Sequence, residues 1–373
     1  MRRPLARPDG LERMLQTLAA ALPRQGVNVR DPGAATPASL ASSSTVLQTL
    51  ANAPASFARL LRRTSAQPGT LEPERKPDVV ALHFAPQAAP IIGKFGKVPR
   101  VVHFHGSWVD EHRTDRGAAL VGPLRYGLER MVYHGGTRHI VLSRESGDVL
   151  HMRYRVPEER IRVVPGCVDT SRFALRVTRK QARKRLAIPQ DRPVLLCARP
   201  LIPGMGLDDL IDAIFMVKLA VPDVFLVIVG TGPEQELLYA RIVARNLEDQ
   251  VRLAGFVSDD ALPQYYRAAD LTIVPTVVMK DCGLTAIESL ATGTPVLVTA
   301  EGGSAEAVAP LSDHLVIASG GYRELGSGIA DALLGVRVMP SADACRRYAR
   351  KHFDHSVVAA QIADVYRDAI ETY

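Results

Sequence analysis

The fold class of this chain is decided by residues 271–303, which read LTIVPTVVMKDCGLTAIESLATGTPVLVTAEGG. Two short apolar runs in this stretch, Leu271–Pro275 and Thr294–Thr299, have the composition of buried strands. Between them, Leu284–Ala291 has the apolar spacing of a helix that opens after a glycine. Because a strand, a helix and a second strand in this order form a parallel crossover, the stretch predicts one βαβ unit.

The same alternation extends in both directions along the chain. In the second half, the pattern predicts strands at Pro193–Ala198, Val224–Gly230 and Val251–Leu253, and helices at Leu207–Leu219, Glu234–Arg245 and Leu262–Arg267. In the first half, it predicts helices at Leu11–Leu22, near Thr45–Arg63 and around Leu124–Tyr133, and strands at Gly26–Val29, Asp78–Phe84, Arg100–Phe104 and Arg138–Leu142. Since 373 residues are too many for one ordinary core, we expect two α/β domains with parallel sheets.

Composition places the chain among soluble globular proteins. Hydrophobic residues make up 47% and charged residues 23%, which is ordinary usage and excludes a mainly disordered chain. No apolar run approaches the ~18 residues of a membrane span, and the first ten residues lack the apolar core of a secretion signal. The four cysteines are far apart and form no CxxC pair, so we expect no zinc site and a cytoplasmic location.

The charge is uneven between the two halves. Residues 1–172 carry 25 Lys and Arg against 15 Asp and Glu, whereas residues 173–373 carry 21 against 24. A basic first half suggests an anionic partner, and a scattered solvated face is the alternative. Nucleic acid is disfavoured because no helix-turn-helix or zinc-finger spacing occurs. The predicted helix near Thr45–Arg63 carries arginines beside Phe57, Leu60 and Leu61, so we expect peripheral contact with the anionic inner face of the membrane.

Candidate ligand-binding residues follow the ends of the predicted strands, because open α/β sheets bind ligands beyond the carboxyl ends of their strands. Arg199 follows the strand Pro193–Ala198, and Gly230-Thr-Gly232-Pro233 follows the next strand along the chain. A third segment, Gly283-Leu284-Thr285, opens a helix. Its backbone amides and the helix dipole can bind an anion.

Glu288 lies one turn into that helix, where a carboxylate suits the two vicinal hydroxyls of a ribose. The alternative is an ordinary helix start, in which Glu288 is a favourable partner of the helix dipole. An NAD-dependent oxidoreductase is disfavoured, because Gly230-Thr-Gly-Pro-Glu-Gln235 lacks the third glycine of the dinucleotide fingerprint.

Several motifs, in order, resemble the retaining glycosyltransferases of family 4. The signature block is Lys280–Val296 followed by Glu301-Gly-Gly303. The other motifs are Val102-His-Phe-His-Gly106, Ile140-Val-Leu-Ser143, Val164-Pro-Gly-Cys-Val-Asp169, Arg199 with Gly206, Val229-Gly-Thr-Gly-Pro233 and Leu253-Ala-Gly-Phe-Val257. The resemblance implies a GT-B fold: two Rossmann-like domains facing across a cleft, with a C-terminal helix that crosses back to the N-terminal domain. It implies an acceptor-side domain over residues 1–172, a nucleotide-sugar domain over 173–352 and the cross-over helix over 353–373.

The resemblance also implies roles for individual residues. Arg199 would neutralise the diphosphate of the donor, with an ordinary surface arginine as the alternative. The amides of Gly283, Leu284 and Thr285 would bind the distal phosphate, and Glu288 would bind the ribose. The implied donor-binding set is Gly230, Gly232, Pro233, Phe256, Gly283, Leu284, Thr285 and Glu288.

Two more roles concern the base and the sugar. Phe256 would lie near the base, with a core phenylalanine as the alternative. His105 would face the transferred sugar from the N-terminal domain, although a lone histidine after a strand is usually structural. No metal and no cofactor are implied, and we expect the donor to be a UDP-sugar.

The chain departs from the family pattern at several positions. Lys280 stands where the family has a glutamate, and the Pro200–Gly206 loop lacks the family's second cation. We therefore expect Lys280 to act in catalysis with His105 and Arg199, by supplying the missing positive charge. Cys167 replaces a glycine, and Met1–Asp9 shows no pattern for the family's first strand.

The function that the resemblance implies is transfer of a hexose-like sugar from a nucleoside diphosphate sugar to an acceptor, with retention of the anomeric configuration. The acceptor would be a lipid-linked, polysaccharide or glycolipid intermediate. The departures leave one alternative, a catalytically degenerate family member that binds a nucleotide sugar or a partner without turnover.

Overall fold

The structure is a computed structural model that describes residues 10–29, 77–89, 96–107, 118–277, 283–318 and 321–373. The predictions for the helix near Thr45–Arg63, for Lys280 and for the segment Met1–Asp9 fall outside these residues. The described chain divides into two compact units. The first holds residues up to Val141, together with Gly147–Val164 and Ala359–Tyr373; the second holds Leu142–Ser146 and Pro165–Val358.

The first unit contains a sheet of four parallel strands in the order β1-β2-β3-β4. Its helices and strands up to residue 163 are α1 (Gly10–Ala21), β1 (Val80–His83), α2 (Ala85–Ala88), β2 (Arg100–Phe104), α3 (Ala118–His134), β3 (Arg138–Val141) and β4 (Ile161–Val163), and α4 (Arg144–Asp148) lies in the chain between β3 and β4. Short 3₁₀ turns cover Leu22–Gln25 and Glu158–Arg160, and a π turn covers Val149–Arg153. Strand residues pack with α3 and the π turn to form the core, which includes Leu82, Val102, Phe104, Val132, Tyr133, Val141, Leu150 and Tyr154.

The second unit contains six parallel strands in the order β10-β9-β8-β5-β6-β7. Its elements are α5 (Thr170–Phe173), α6 (Arg179–Arg185), β5 (Val194–Ala198), α7 (Leu207–Ala220), β6 (Phe225–Val229), α8 (Gln235–Ala244), β7 (Val251–Gly255), α9 (Leu262–Ala268), β8 (Leu271–Val274), α10 (Leu284–Thr292), β9 (Val296–Thr299), α11 (Gly303–Val308), β10 (Val316–Ile317), α12 (Tyr322–Leu333) and α13 (Ala342–Phe353). A 3₁₀ turn covers Asp313–Leu315. Helices cover both faces, and of the two cores on either side of the sheet one is almost entirely aliphatic and the other also contains buried aromatic residues.

The last helix, α14 (His355–Thr372), begins in the second unit and ends in the first. It contributes Val358, Ala359, Ile362, Ala363, Tyr366 and Ala369 to the buried interior. The predicted fold class, two α/β domains with parallel sheets and a C-terminal helix that returns to the N-terminal one, is confirmed. Within the described residues, no helix is both long enough and apolar enough to cross a membrane.

One predicted strand, Gly26–Val29, is wrong. Gly26 has a φ of 78°, and its amide donates to the carbonyls of Leu22 and Pro23, so it closes the turn that ends α1. Val27–Val29 then continues without strand pairing. A left-handed glycine after a helix is a common C-terminal cap, and here that local preference outweighs the strand propensity of two valines.

One carboxylate of helix α14 forms hydrogen bonds with two strands of the sheet in the first unit. Asp368 accepts hydrogen bonds from Nε and Nη2 of Arg138 at 2.7 and 2.9 Å, and from Nη2 of Arg162 at 3.1 Å. Arg138 lies on β3 and Arg162 on the neighbouring β4. The hydrogen bond from Arg138 is the main reason that the pKa of Asp368 falls to about 2.

We predict that Asp368→Asn lowers the free energy of unfolding by about 1 kcal/mol, a modest value because this carboxylate is partly exposed to solvent. The pKa is depressed in the folded state, so the stabilisation is present at neutral pH and is lost as the pH falls from about 4 towards 2. Urea unfolding at pH 7 measures the change. Asp364→Asn, on the exposed side of the same helix, is the control, and an equal loss in both variants would contradict the assignment.

Candidate functional site

The strand order of the second unit reverses direction between β5 and β8, which pair directly through Leu195 with Leu271 and Leu196 with Thr272. β6 and β7 follow β5 on one side, and β9 and β10 follow β8 on the other. Connections that leave in opposite directions create a crevice at the carboxyl ends of the two central strands. The predicted phosphate-binding residues follow these two strands in the chain.

Arg199, the first residue after β5, is buried, with only 8% of its surface exposed. Its Nη1 donates to Oγ1 of Thr276, the second residue after β8, at 2.9 Å. This hydrogen bond spans the point at which the strand order reverses. The alternative interpretation of Arg199 as a surface residue is therefore wrong, because the guanidinium lies inside the site.

A small cavity of about 70 Å³ adjoins Thr276 at the carboxyl ends of β8, β9 and β10. Its polar lining consists of Thr276 and Thr299 together with the carboxylates of Asp209 and Glu301. Thr299 Oγ1 donates to the carbonyl of Thr276 at 2.7 Å, so the loops after β8 and β9 are tied together. The edge of the sheet at this point is concave, and apolar side chains make up the larger part of its lining.

Gly230 and Gly232 permit a close approach of two loops. A Cβ atom at Gly230 would lie 1.8 Å from the carbonyl oxygen of Arg199, and one at Gly232 would lie 2.1 Å from the carbonyl oxygen of Leu201. Gly230 also has a φ of 145°, which side chains rarely allow. Both glycines therefore have a packing reason to be present, independent of any ligand, and their contact with a donor stays a prediction.

Helix α10 begins at Gly283, which has a φ of 73° and takes the N-cap position. Leu284 and Thr285 form its first turn, where backbone amides point away from the helix and lack intrahelical acceptors. Thr285 Oγ1 lies 3.4 Å from the carbonyl of Ala198, the last residue of β5. The start of α10 and the end of β5, which leads into Arg199, are therefore adjacent, as an anion site built from both requires.

Glu288 lies on the same helix and is 93% buried. Its Oε2 accepts a hydrogen bond from the hydroxyl of Tyr266 at 2.8 Å. A carboxylate can be buried only where hydrogen bonds compensate its lost hydration. Both interpretations of Glu288, a ribose ligand and a favourable partner of the helix dipole, therefore stay predictions.

Phe256 and Pro233 lie at the rim of this region. Phe256 directly follows β7 and has 54% of its surface exposed, so the alternative that it is a core residue is wrong. Pro233 is exposed in the loop after β6. Contact of either residue with a base stays a prediction.

In the first unit, His105 follows β2 and lies in a stack of three histidines. The rings of His83 and His103 are 4.1 Å apart and nearly parallel, and Nδ1 of His83 lies 3.1 Å from Nε2 of His105. His103 Nε2 is 2.9 Å from the hydroxyl of Tyr366 on α14. His105 Nδ1 is buried and has no hydrogen-bond partner among the described residues.

The sequence interpretation singled out His105 and missed His83, His103 and Tyr366. His105 is the first residue after β2 and lies two residues beyond His103, and the two rings are stacked with 6.3 Å between their centroids. His83 is the register partner of His103 on β1. The sequence does contain a signal for the stack, which is a histidine at the carboxyl end of each of two predicted strands. It predicts a contact between the two histidines only if these strands are known to be neighbours in the sheet.

Burial keeps these imidazoles neutral. It lowers the pKa of His83 to about 4 and that of His105 to about 3, and in His105 the neighbouring His83 adds to the effect. Burial also lowers the pKa of His103 well below its usual value. At neutral pH, each ring therefore carries one N–H donor and one acceptor nitrogen.

We predict that this stack makes folding sensitive to mild acid. The pKa values of these histidines are depressed in the folded state, so they do not lower the free energy of unfolding above pH 6.5. As the pH falls from 6.5 towards 4, the free energy of unfolding decreases, because the unfolded chain takes up protons that the folded chain does not. Thermal unfolding between pH 7.5 and 4.5 measures the loss. His83→Phe should flatten this dependence, because it removes one proton from the difference between the two states.

His314→Gln, a change at an exposed histidine of the second unit, should leave the pH dependence as it is in the wild type. An equally steep pH dependence in His83→Phe and the wild type would contradict the assignment.

Comparisons with known proteins bear on both units. The model named Glycosyltransferase Family 4 matches residues 8–172, and the model named Glycosyl transferases group 1 matches residues 178–352. A GDP-mannose-dependent phosphatidylinositol monomannoside mannosyltransferase of Mycobacterium tuberculosis is 28% identical over 219 residues, which is 57% of each chain. The alignment thus spans a little over half the length of that relative.

Solved structures share the fold over most of the chain. Sucrose-phosphate synthase of Thermosynechococcus elongatus superposes with a TM-score of 0.75 at 20% identity, covering 98% of this chain and 94% of that one. The HepE protein of Anabaena, solved in complex with UDP-glucose, has a TM-score of 0.66 at 20% identity and covers 78% of this chain and 79% of its own. With two family models matching nearly all of its length and these folds superposing on it, the chain belongs to the family 4 glycosyltransferases of the GT-B fold.

Proposed function

We propose that this protein transfers a hexose-like sugar from a nucleoside diphosphate sugar, a UDP-sugar, to an acceptor, with retention of the anomeric configuration. The observation that carries the proposal is the buried Arg199 at the point where the strand order reverses, beside the start of α10. A permanently charged guanidinium and the positive end of a helix are the groups that bind a diphosphate.

The donor would lie along the carboxyl edge of the sheet in the second unit. Arg199 and the first-turn amides of α10 bind the two phosphates, and Glu288 binds the ribose. Phe256, exposed at the end of β7, borders the base.

The chemistry would consist mainly of stabilising the leaving group. As the bond between sugar and phosphate breaks, negative charge grows on the departing diphosphate, and Arg199 with the dipole of α10 stabilises that charge. Lys280 adds the cation that the Pro200–Gly206 loop lacks. His105 would face the transferred sugar, with its Nε2 3.1 Å from Nδ1 of His83 and its Nδ1 buried. No metal ion and no cofactor have a role in this scheme.

Relatives support the class of donor. The mycobacterial relative is named for GDP-mannose, and HepE was solved with UDP-glucose. Both molecules are nucleoside diphosphate sugars, and they share the ribose and the diphosphate for which we assign residues here. They differ in the sugar and in the base, which under this proposal borders the exposed Phe256.

We predict that UDP-glucose, or another member of a panel of UDP-, GDP-, ADP- and dTDP-sugars, raises the melting temperature of the protein. Arg199→Ala should weaken binding of the corresponding nucleoside diphosphate about 10- to 100-fold, the range for losing a charge-assisted hydrogen bond. Binding of the nucleoside alone should be unchanged. Arg323→Ala, which removes an exposed arginine of the same unit, is the control.

Two results would contradict the proposal. If no member of the panel shifts the melting temperature, the site does not bind nucleotide sugars. If a nucleotide sugar binds and is neither transferred nor hydrolysed, the protein is the catalytically degenerate member that the departures from the family pattern also allow.

We further propose that the basic N-terminal domain, which has an excess of ten positive charges over residues 1–172, docks on an anionic membrane and reaches a lipid-linked acceptor. Met131 and Met152 of this domain are 47% and 68% exposed, and each neighbours an arginine in the chain, Arg130 and Arg153. We expect stronger co-sedimentation with phosphatidylglycerol vesicles than with phosphatidylcholine vesicles at low salt. Equal binding to both would contradict docking.

A further inference from the structure

The hydrogen bond between Tyr266 and Glu288 joins two helices in the interior of the second unit. The tyrosine hydroxyl donates to Oε2 of the glutamate at 2.8 Å. The side chain of Tyr266 is completely buried, and Glu288 has 7% of its surface exposed. The bond is therefore shielded from bulk water. In such an interior, a hydrogen bond to a charged group is stronger than it is in water.

The position of the tyrosine hydroxyl is determined by the packing around its ring. Phe173 packs edge-on against this ring with 6.1 Å between the centroids. The backbone carbonyl of Tyr266 accepts a hydrogen bond from Oγ1 of Thr294 at 2.8 Å, which ties the end of α9 to the loop after α10. Because the packing determines the position of the tyrosine ring, its hydroxyl is at a set position. The hydrogen bond then forms only when the Glu288 carboxylate adopts the rotamer that reaches this hydroxyl.

The backbone of Glu288 is set in position by the packing of its own helix. Ala286, Ile287 and Leu290 of α10 are fully buried, so the helix is enclosed on several sides. Thr292 Oγ1 donates to the backbone carbonyl of Glu288 at 2.8 Å, which adds a second contact within the helix. The side chain of Glu288 has several rotamers, and the one in the structure is the one that meets Tyr266.

We propose that Tyr266 is a positioning residue, which holds the carboxylate of Glu288 in the rotamer that binds the ribose hydroxyls of the nucleotide. This inference rests on the proposed function, in which Glu288 binds the ribose. A flexible glutamate would lose rotamer freedom when the ribose binds, and a carboxylate that is already held in place avoids that cost. Tyr266 does not touch the nucleotide and acts only through Glu288.

A purely structural pair between α9 and α10 is the competing interpretation. Under it, loss of the hydroxyl would lower stability and weaken every ligand of the site to the same extent. Under the positioning role, the loss falls on ribose-containing ligands alone. The preference for a ribose over a 2′,3′-dideoxyribose therefore separates the two, because both nucleotides carry the same base and the same phosphates.

The experiment measures the affinities of UDP and 2′,3′-dideoxy-UDP by titration calorimetry for the wild type, Tyr266→Phe and Tyr265→Phe. If the donor panel selects another base, the matching pair of diphosphates is used. Tyr265→Phe removes the neighbouring hydroxyl on the same helix and is the matched control. We expect the preference for UDP to fall about tenfold in Tyr266→Phe, with the affinity for the dideoxy nucleotide within twofold of the wild type.

The same preference in Tyr266→Phe and the wild type would overturn the positioning role, and so would an equal loss of affinity for both nucleotides. A wild type that binds UDP without preferring ribose would overturn it as well, through the assignment of Glu288. A wild type that binds no nucleotide diphosphate would instead refute the proposed function on which the inference rests.

A second variant keeps the test decisive if Tyr266→Phe proves unstable. Glu288→Asp retains the charge but withdraws the carboxylate by one methylene from the tyrosine hydroxyl. We expect it to lose most of the ribose preference. In the double variant Tyr266→Phe/Glu288→Asp the loss should be no larger than in Glu288→Asp alone, because both changes break one interaction. Independent, additive losses would overturn the proposal.

Discussion

The reversal of strand order between β5 and β8 is the constraint on which the candidate site depends. Two parallel strands that are neighbours in the sheet, although residues 199–270 separate them in the chain, send their following loops in opposite directions. The crevice this leaves must be held in shape, and the hydrogen bond from Arg199 to Thr276 joins its two sides. On the side of β6, the glycines at 230 and 232 let the next loop come within contact of the backbone after β5.

The proposed donor site contains buried groups of both charges. Arg199 and Glu288 are each more than nine-tenths buried, and both are polar groups whose burial is unfavourable without partners. Thr276 and Tyr266, which are neutral, donate to or accept from them with fixed geometry. Under the proposed function, the ligand brings phosphates to the cation and hydroxyl groups to the anion.

Much of the fold and part of the site can be predicted from the sequence, for identifiable physical reasons. Strands such as Phe225–Val229 are continuous apolar runs because both faces of a parallel sheet are covered. The rule does not detect short strands. β4 has three residues and β10 has two, which are too few side chains to show a pattern in the sequence. The burial of Arg199, the exposure of Phe256 and the bond from Tyr266 to Glu288 depend on contacts between distant segments, which spacing along one segment does not contain.

The histidine stack shows how the last helix can influence chemistry in the first unit. Helix α14 is attached to the sheet through Asp368, and two residues earlier Tyr366 meets His103. His103 stacks on His83, and His83 shares a hydrogen bond with His105. Because the rings are neutral, that bond needs one donor and one acceptor nitrogen. If His83 donates, the proton of His105 must lie on Nδ1, and if His83 accepts, Nδ1 is an acceptor. The tautomer of His105 is thus decided by its neighbour rather than by His105 alone.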